Sequence, residues 1–129
     1  MNVARDAKPV SPTRVAELTE REERAFFEAR SRSVGLWQEA RRLLPMGVPS
    51  SFQAAKPQPV FIDRGEGSRI WDVDGNEYVD FHNGFGVMVV GHVHPLVVAA
   101  VNRRVVAGTH FAQPVAEVLG VVEELFRWF

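Results

Sequence analysis

The 129 residues contain no cysteine, which excludes disulfide stapling and thiolate-bound zinc. Lysine is almost as scarce: Lys8 and Lys56 stand alone, and thirteen of the fifteen basic residues are Arg. Sixteen acidic residues bring the formal net charge to -1, so no basic face for nucleic acid is expected. No apolar run reaches the roughly 18 residues that a membrane-spanning helix needs. Met1 to Pro9 carry Arg5, Asp6 and Lys8 with no apolar stretch behind them, which does not read as a signal peptide. Internal repeats and low-complexity tracts are also missing. What remains is of ordinary globular composition, 46% hydrophobic and 24% charged. The length gives room for one modest domain. The expectation is a soluble cytoplasmic protein without nucleic-acid or membrane partners.

Residues 1–10 read as a flexible lead. Ser11-Pro12-Thr13 is a helix start, with Ser11 as cap and Pro12 in the first turn. Thr19 with Glu22 offers a second start as a capping box. Val15, Leu18, Ala25, Phe26 and Ala29 give an apolar stripe that Gly35 is expected to interrupt. Leu36, Trp37, Ala40, Leu43 and Leu44 resume the spacing until Pro45 stops it, with Arg41 and Arg42 in the last turn. Residues 45–59 hold four prolines and read as a long irregular connection of the kind that often carries function.

Three short strands are expected next, at Pro59 to Asp63, Arg69 to Val73 and Glu77 to Phe81. Asp74-Gly75-Asn76 joins the last two as a hairpin, because Gly accepts positive φ without steric cost. Asn83-Gly84-Phe85-Gly86 reads as a backbone-permissive loop. Pro95 opens a helix through Ala107 that Gly108 closes, lined by Val97, Val98, Val101 and Val105, although so many valines leave a strand as the alternative. Val115 to Phe129 is helical in pattern, with Val118, Leu119, Val122, Leu125 and Phe126 facing inward. The pattern is α+β. The chain stops at Phe126-Arg127-Trp128-Phe129, inside an apolar periodic segment. Truncation, or a partner covering that end, is the physical expectation.

No chemical constellation completes itself. Asp72, Asp74, Asn76 and Asp80 suggest a calcium loop, but an EF-hand needs Gly at its sixth position and Glu at its twelfth, and here those are Glu77 and Asn83. His82, His92 and His94 lie close in sequence, yet no further ligand completes a zinc-hydrolase set, and a structural role at the helix entry is expected instead. Gly84, Gly86 and Gly91 match neither a dinucleotide fingerprint nor a P-loop, which leaves tight packing or a sharp turn. No serine is framed as a nucleophile elbow. The charges from Arg21 to Arg32 read as a solvated helix face.

Read in order, several stretches resemble the class-III aminotransferases, and within them the glutamate-1-semialdehyde aminomutase branch. They are Leu43 to Ser50 (LLPMGVPS), Val60 to Asp80 (VFIDRGEGSRIWDVDGNEYVD), Gly91 to Pro95 (GHVHP), and Gly108-Thr109-His110-Phe111 with Gln113-Pro114. The resemblance runs from about Leu36 onward. It implies the N-terminal portion of a fold-type I enzyme that uses pyridoxal 5'-phosphate. Residues 11–90 would supply the N-terminal helix and a small antiparallel β-meander. Residues 91–129 would supply the first helices of a truncated large coenzyme-binding domain.

By the same resemblance the whole enzyme is a homodimer with active sites at the subunit interface. It would move an amino group from a small-molecule donor to a keto acid or aldehyde acceptor. Ser50, Gln53, Phe85 and Gly86 would line the substrate pocket. Two positions depart from the aminomutase pattern. Gln53 stands where that branch carries an arginine for the substrate carboxylate, so a bidentate ion pair is lost. Phe85 stands where it carries an aromatic, usually tryptophan, which removes an indole donor. These changes point toward a transaminase with another donor, or with a β- or ω-amino acid substrate, and leave the aminomutase as the alternative. The family's Schiff-base lysine, the aspartate facing the ring nitrogen and the phosphate cup lie past the last residue. No catalytic, coenzyme-binding or metal residue is therefore assigned, and the chain is expected to be inactive alone. A non-enzymatic module that binds a partner through its apolar end is the competing expectation.

Overall fold

A computed structural model describes residues 11–129, and the lead read over residues 1–10 lies outside them. Ser11 is extended and precedes α1, Pro12–Glu28, in which Pro12 takes the first turn where its missing N–H costs nothing. Thr19 lies inside α1 and starts no helix. The break falls at Ala29-Arg30, not at Gly35, which sits within α2, Ser31–Ala40. Arg41 and Arg42 lie just past the end of α2. Pro45 opens a 3-10 turn, Pro45–Gly47, and a second spans Ser51–Gln53.

The sheet has three antiparallel strands in sequence order: β1 Ile62–Glu66, β2 Arg69–Asp72 and β3 Glu77–Val79. β1 begins later than its apolar residues suggest, and its register shifts between Ile62 and Arg64. Arg64 faces Trp71 across the ladder and lays its guanidinium 3.6 Å from the indole centre. The β2–β3 loop is a Gly-ended turn: the Gly75 N–H donates to the Asp72 carbonyl at 3.0 Å, and Gly75 has φ +90°.

That loop also specifies the helix break some forty residues earlier. No side chain within α2 caps its first turn. Asp74 does so from the hairpin, accepting the backbone N–H of Arg32 at 2.7 Å and of Ser33 at 2.9 Å. Asn76 Nδ2 donates to the Ala29 carbonyl at 2.8 Å, at the end of α1. One loop thus satisfies orphan groups of both helices. Among the described residues the buried set is small and half polar: Ser33, Gln58 and Asp72, with Gly47, Val48 and Pro59.

After β3 the chain makes α3, Asn83–Gly86, a single turn whose four residues all have positive φ, from 53° to 82°. His92 then pairs with Gly67 as an isolated bridge. Among the described residues, those up to His92 form one compact unit and Val93–Phe129 another.

The second unit holds α4, Pro95–Val105, and α5, Glu117–Trp128. The valine-rich segment is a helix: Pro95 presets its first turn, and Gly108 takes φ +93° after its end. Arg104 bridges the two helices through Glu117 at 3.4 Å. The residues expected to face inward on α5 are exposed, from Val122 at 40% to Phe126 at 82%. Helical periodicity in a sequence marks an apolar face; it does not say what covers it.

Candidate functional site

The two stretches singled out for the pocket meet in the first unit. Ser50 is extended and caps the turn Ser51–Gln53, whose Gln53 N–H donates to the Ser50 carbonyl at 2.9 Å. Both side chains are exposed. Between them Phe52 projects to Phe85, edge to face, with ring centres 5.8 Å apart. Phe85 in turn packs on His82 at 4.2 Å. The result is an aromatic wall of Phe52, His82 and Phe85, in which Phe52 and Phe85 stay largely open to solvent at 83% and 70%.

Phe85 is held in a conformation that L-residues rarely adopt, φ 62°, in a turn flanked by Gly84 and Gly86. What fixes the start of the turn is Asp80. Its Oδ1 accepts the N–H of Asn83 at 2.8 Å and of His82 at 2.9 Å, and its Oδ2 meets His92 Nε2 at 2.7 Å. The Asn83 N–H, then His92, hold the Asp80 carboxyl below its ordinary pKa. His82 Nδ1 adds a weak contact, accepting from the Phe85 N–H at 3.4 Å. The start of the turn is therefore held by hydrogen bonds to one carboxylate, and its remainder by the Phe85 N–H on the His82 carbonyl and the Met88 N–H on the Asn83 carbonyl, both at 3.1 Å.

Gly91 lies where the chain returns to the sheet. A Cβ there would stand 2.8 Å from the Gly67 carbonyl oxygen, so the glycine is required by close approach. The carboxylates that suggested a calcium loop each hold backbone instead: Asp72 within its own hairpin, Asp74 on α2 and Asp80 on α3. From the sequence, Phe85 and Gly86 are expected here by resemblance, Asp80 and His82 stand out only as metal candidates, and Phe52 does not stand out. An acidic residue two and three positions before amides of a glycine-rich turn was the available signal for Asp80.

Lys56 is exposed on the rim of an open cleft of about 450 Å³, lined also by Trp37, Arg41, Met46 and Pro59. Arg41 stacks over the Trp37 ring at 4.9 Å, and Trp37 Nε1 donates to the Met46 carbonyl at 3.2 Å. Among the described residues no carboxylate lines this cleft.

With the aromatic wall, the antiparallel meander and the helix pair in place, comparison with known proteins defines the class. Residues 51–127 match the model of the aminotransferase class-III family. The chain belongs to that family. It is 44% identical over 88 residues to glutamate-1-semialdehyde 2,1-aminomutase 2 of Brevibacillus brevis, covering 66% of this chain and 20% of that protein. Its fold resembles a glutamate-1-semialdehyde aminomutase of Pseudomonas aeruginosa PAO1, with a TM-score of 0.80 and 33% identity over 92% of this chain and 26% of the other. It also resembles an omega-transaminase of Sphaerobacter thermophilus, with a TM-score of 0.60 and 36% identity over 64% of this chain and 19% of that one. The α+β architecture is that of the N-terminal part of such a transaminase. The chain spans about a fifth to a quarter of the length of these proteins.

Proposed function

We propose that this segment builds one wall of the substrate pocket of a pyridoxal-phosphate-dependent aminotransferase. The observation that carries the reading is the contact of Phe52 with Phe85, which joins the 50–53 and 84–86 stretches into one exposed aromatic surface. Ser50, Gln53 and Gly86 border it and would meet the substrate's polar groups. The enzyme would transfer an amino group from an amino acid or amine to a keto acid or aldehyde. Gln53 offers an amide where the aminomutase branch offers a guanidinium. An amide cannot form the bidentate ion pair of a guanidinium, so it suits a substrate whose carboxylate is not gripped at residue 53, for which a β- or ω-amino acid or another amino donor is the reading. The aminomutase reading is the alternative, supported by the 44% identity to such an enzyme.

The described residues do not assemble a site for the coenzyme itself. Lys56, the one lysine among them, faces a cleft with no carboxylate to pair a pyridine nitrogen. No chemical step is therefore assigned to these residues, whose role is to bind and orient. A homodimer with shared active sites belongs to the same reading, supported by the exposed apolar residues of α5. A cytoplasmic location is proposed with it, and cell fractionation tests that part.

The test is a substrate panel run on the coenzyme-loaded protein that carries this segment together with a coenzyme lysine. Transfer from β- or ω-amino donors to a keto acid supports the main reading. Turnover confined to glutamate-1-semialdehyde supports the alternative, and no amino transfer with any pair overturns both. The 129-residue chain mixed with pyridoxal phosphate is expected to show no stable coenzyme absorbance that depends on Lys8 or Lys56.

A further inference from the structure

We propose that Asp80 and His92 are positioning residues that clamp the Phe85 wall to the sheet. The proposal rests on the reading that Phe85 faces substrate, and it adds how that ring is held. α3 closes only a few bonds of its own, from the Phe85 N–H to the His82 carbonyl and from the Val87 and Met88 N–H groups to the Asn83 carbonyl. It is a single turn with Asn83 and Phe85 both at positive φ, and for Phe85 that is a backbone conformation L side chains rarely adopt. Something outside the turn must help to hold it.

Asp80 directly follows the last residue of β3, and its N–H donates to the Ser68 carbonyl at 2.8 Å, so its backbone is fixed to the sheet. Its side chain is nearly buried at 7% exposure, and Oδ1 gathers two successive N–H groups from the start of the turn. The other oxygen is held by His92. An ionised carboxylate only accepts, so Nε2 of His92 carries the proton and donates.

His92 is itself anchored twice. Its backbone exchanges both hydrogen bonds with Gly67, at 2.8 and 2.9 Å. Its ring lies so close on Gly65 that a Cβ there would stand 2.6 Å from His92 Cγ. The β1–β2 turn thus fixes His92, His92 orients Asp80, and Asp80 sets the turn that presents Phe85. Loss of any link frees the ring without touching it.

Amide hydrogen exchange and aromatic NMR contacts on the isotope-labelled 129-residue chain test this. In His92→Ala the Asn83 and His82 amides should exchange about tenfold faster, the worth of one hydrogen bond to a charged group. The Phe52–Phe85 contact should weaken, while the β1–β2 ladder amides stay protected. His92→Gln, which keeps a donor, should restore part of the protection. Asp80→Ala should act as His92→Ala does, and Asp80→Asn, which keeps an acceptor oxygen, more mildly. Unchanged exchange at Asn83 in both alanine variants overturns the clamp. Equal loss across the ladder amides also overturns it, because the pair would then support the whole sheet and not the turn. No substrate enters these measurements, so they fail or succeed apart from the substrate panel that tests the pocket reading.

Discussion

Tyr78 donates its hydroxyl to Oδ2 of Asp72 at 2.6 Å, across the hairpin that joins β2 to β3. Arg30, at the break between α1 and α2, completes the group: its Nε donates to the Tyr78 hydroxyl at 3.0 Å and lies 3.8 Å from Asp72 Oδ2. The helix pair and the sheet are therefore joined by a polar knot, in a region where apolar burial is scarce. Asp72 is 2% exposed and also accepts from the N–H groups of Asp74 and Asn76 and from the Asn76 amide.

Asp72→Ala is expected to cost about 3 kcal/mol, because it strands the Tyr78 hydroxyl and the loop amides in a buried site. Asp72→Asn keeps one acceptor oxygen and should cost about 1–2 kcal/mol. Urea unfolding followed by far-ultraviolet circular dichroism measures both. Equal midpoints for Asp72→Ala and the parent chain would show that the knot carries no stability.

The hairpin, the Pro12 and Pro95 helix starts and the stop at Gly108 were legible because each depends on one or two neighbouring residues. The break at Ala29-Arg30 was not, because its cause, Asp74 and Asn76, lies more than forty positions away. Gly35 is a poor helix residue by propensity, yet a helix whose first turn is capped from outside tolerates one glycine. The late start of β1 escaped for a related reason. Phe61, before β1, is held from two sides, its carbonyl by the Val73 N–H at 2.9 Å just past β2 and its N–H by Ser33 Oγ at 3.4 Å. Of the wall, only the residues carried by family resemblance were named. Phe52 became visible when the fold brought it to Phe85.

Two glycines separate backbone strain from contact. Gly86 and Gly91 both have φ +82°, but a Cβ on Gly86 meets nothing within 4 Å, whereas one on Gly91 meets the Gly67 carbonyl at 2.8 Å. Gly86→Ala should therefore cost about 1–2 kcal/mol, the left-handed penalty alone. Gly91→Ala should cost about 3 kcal/mol or more, because a backbone carbonyl has to move. Unfolding midpoints that rank the pair the other way would show that the return of the chain past Gly67 is not a tight contact.

Acid should loosen the first unit once the pH falls below about 5. Burial raises the pKa of Asp72, but hydrogen bonds from Tyr78, Asn76 and Asp74 outweigh it and leave the carboxyl below its ordinary value. Asp74 is likewise lowered: burial raises it, and the N–H groups of Arg32 and Ser33 more than compensate. Asp80 is lowered by Asn83 and His92. A carboxylate lowered on folding adds stability above its unfolded pKa of about 3.9, and that stability is lost as pH falls through the folded value. The urea midpoint should hold steady from neutral pH down to about 5 and then fall, with a shallower fall in Asp72→Asn. A midpoint that stays flat to about pH 2 would show that these carboxylates are not held in their charged form.

The position most exposed to a functional test is Gln53, which sits at the end of its turn, open to solvent, one residue from the Phe52–Phe85 contact. Its amide can donate to a carboxylate but brings no charge, and a guanidinium at the same place can grip both oxygens. In the coenzyme-loaded protein that carries this segment, Gln53→Arg should lower KM for substrates bearing a carboxylate near the reacting carbon. The expected change is about tenfold, the difference between a neutral and a charge-assisted bond. Simple amines lack that carboxylate, so their KM should stay level or rise as the longer cation crowds the entrance. The split is what matters, since a general loosening of the 51–53 turn would move both substrate classes together. A parallel change in KM for carboxylates and amines, or none in either, would remove residue 53 from the pocket and leave Phe85 as the part of the wall still to be tried.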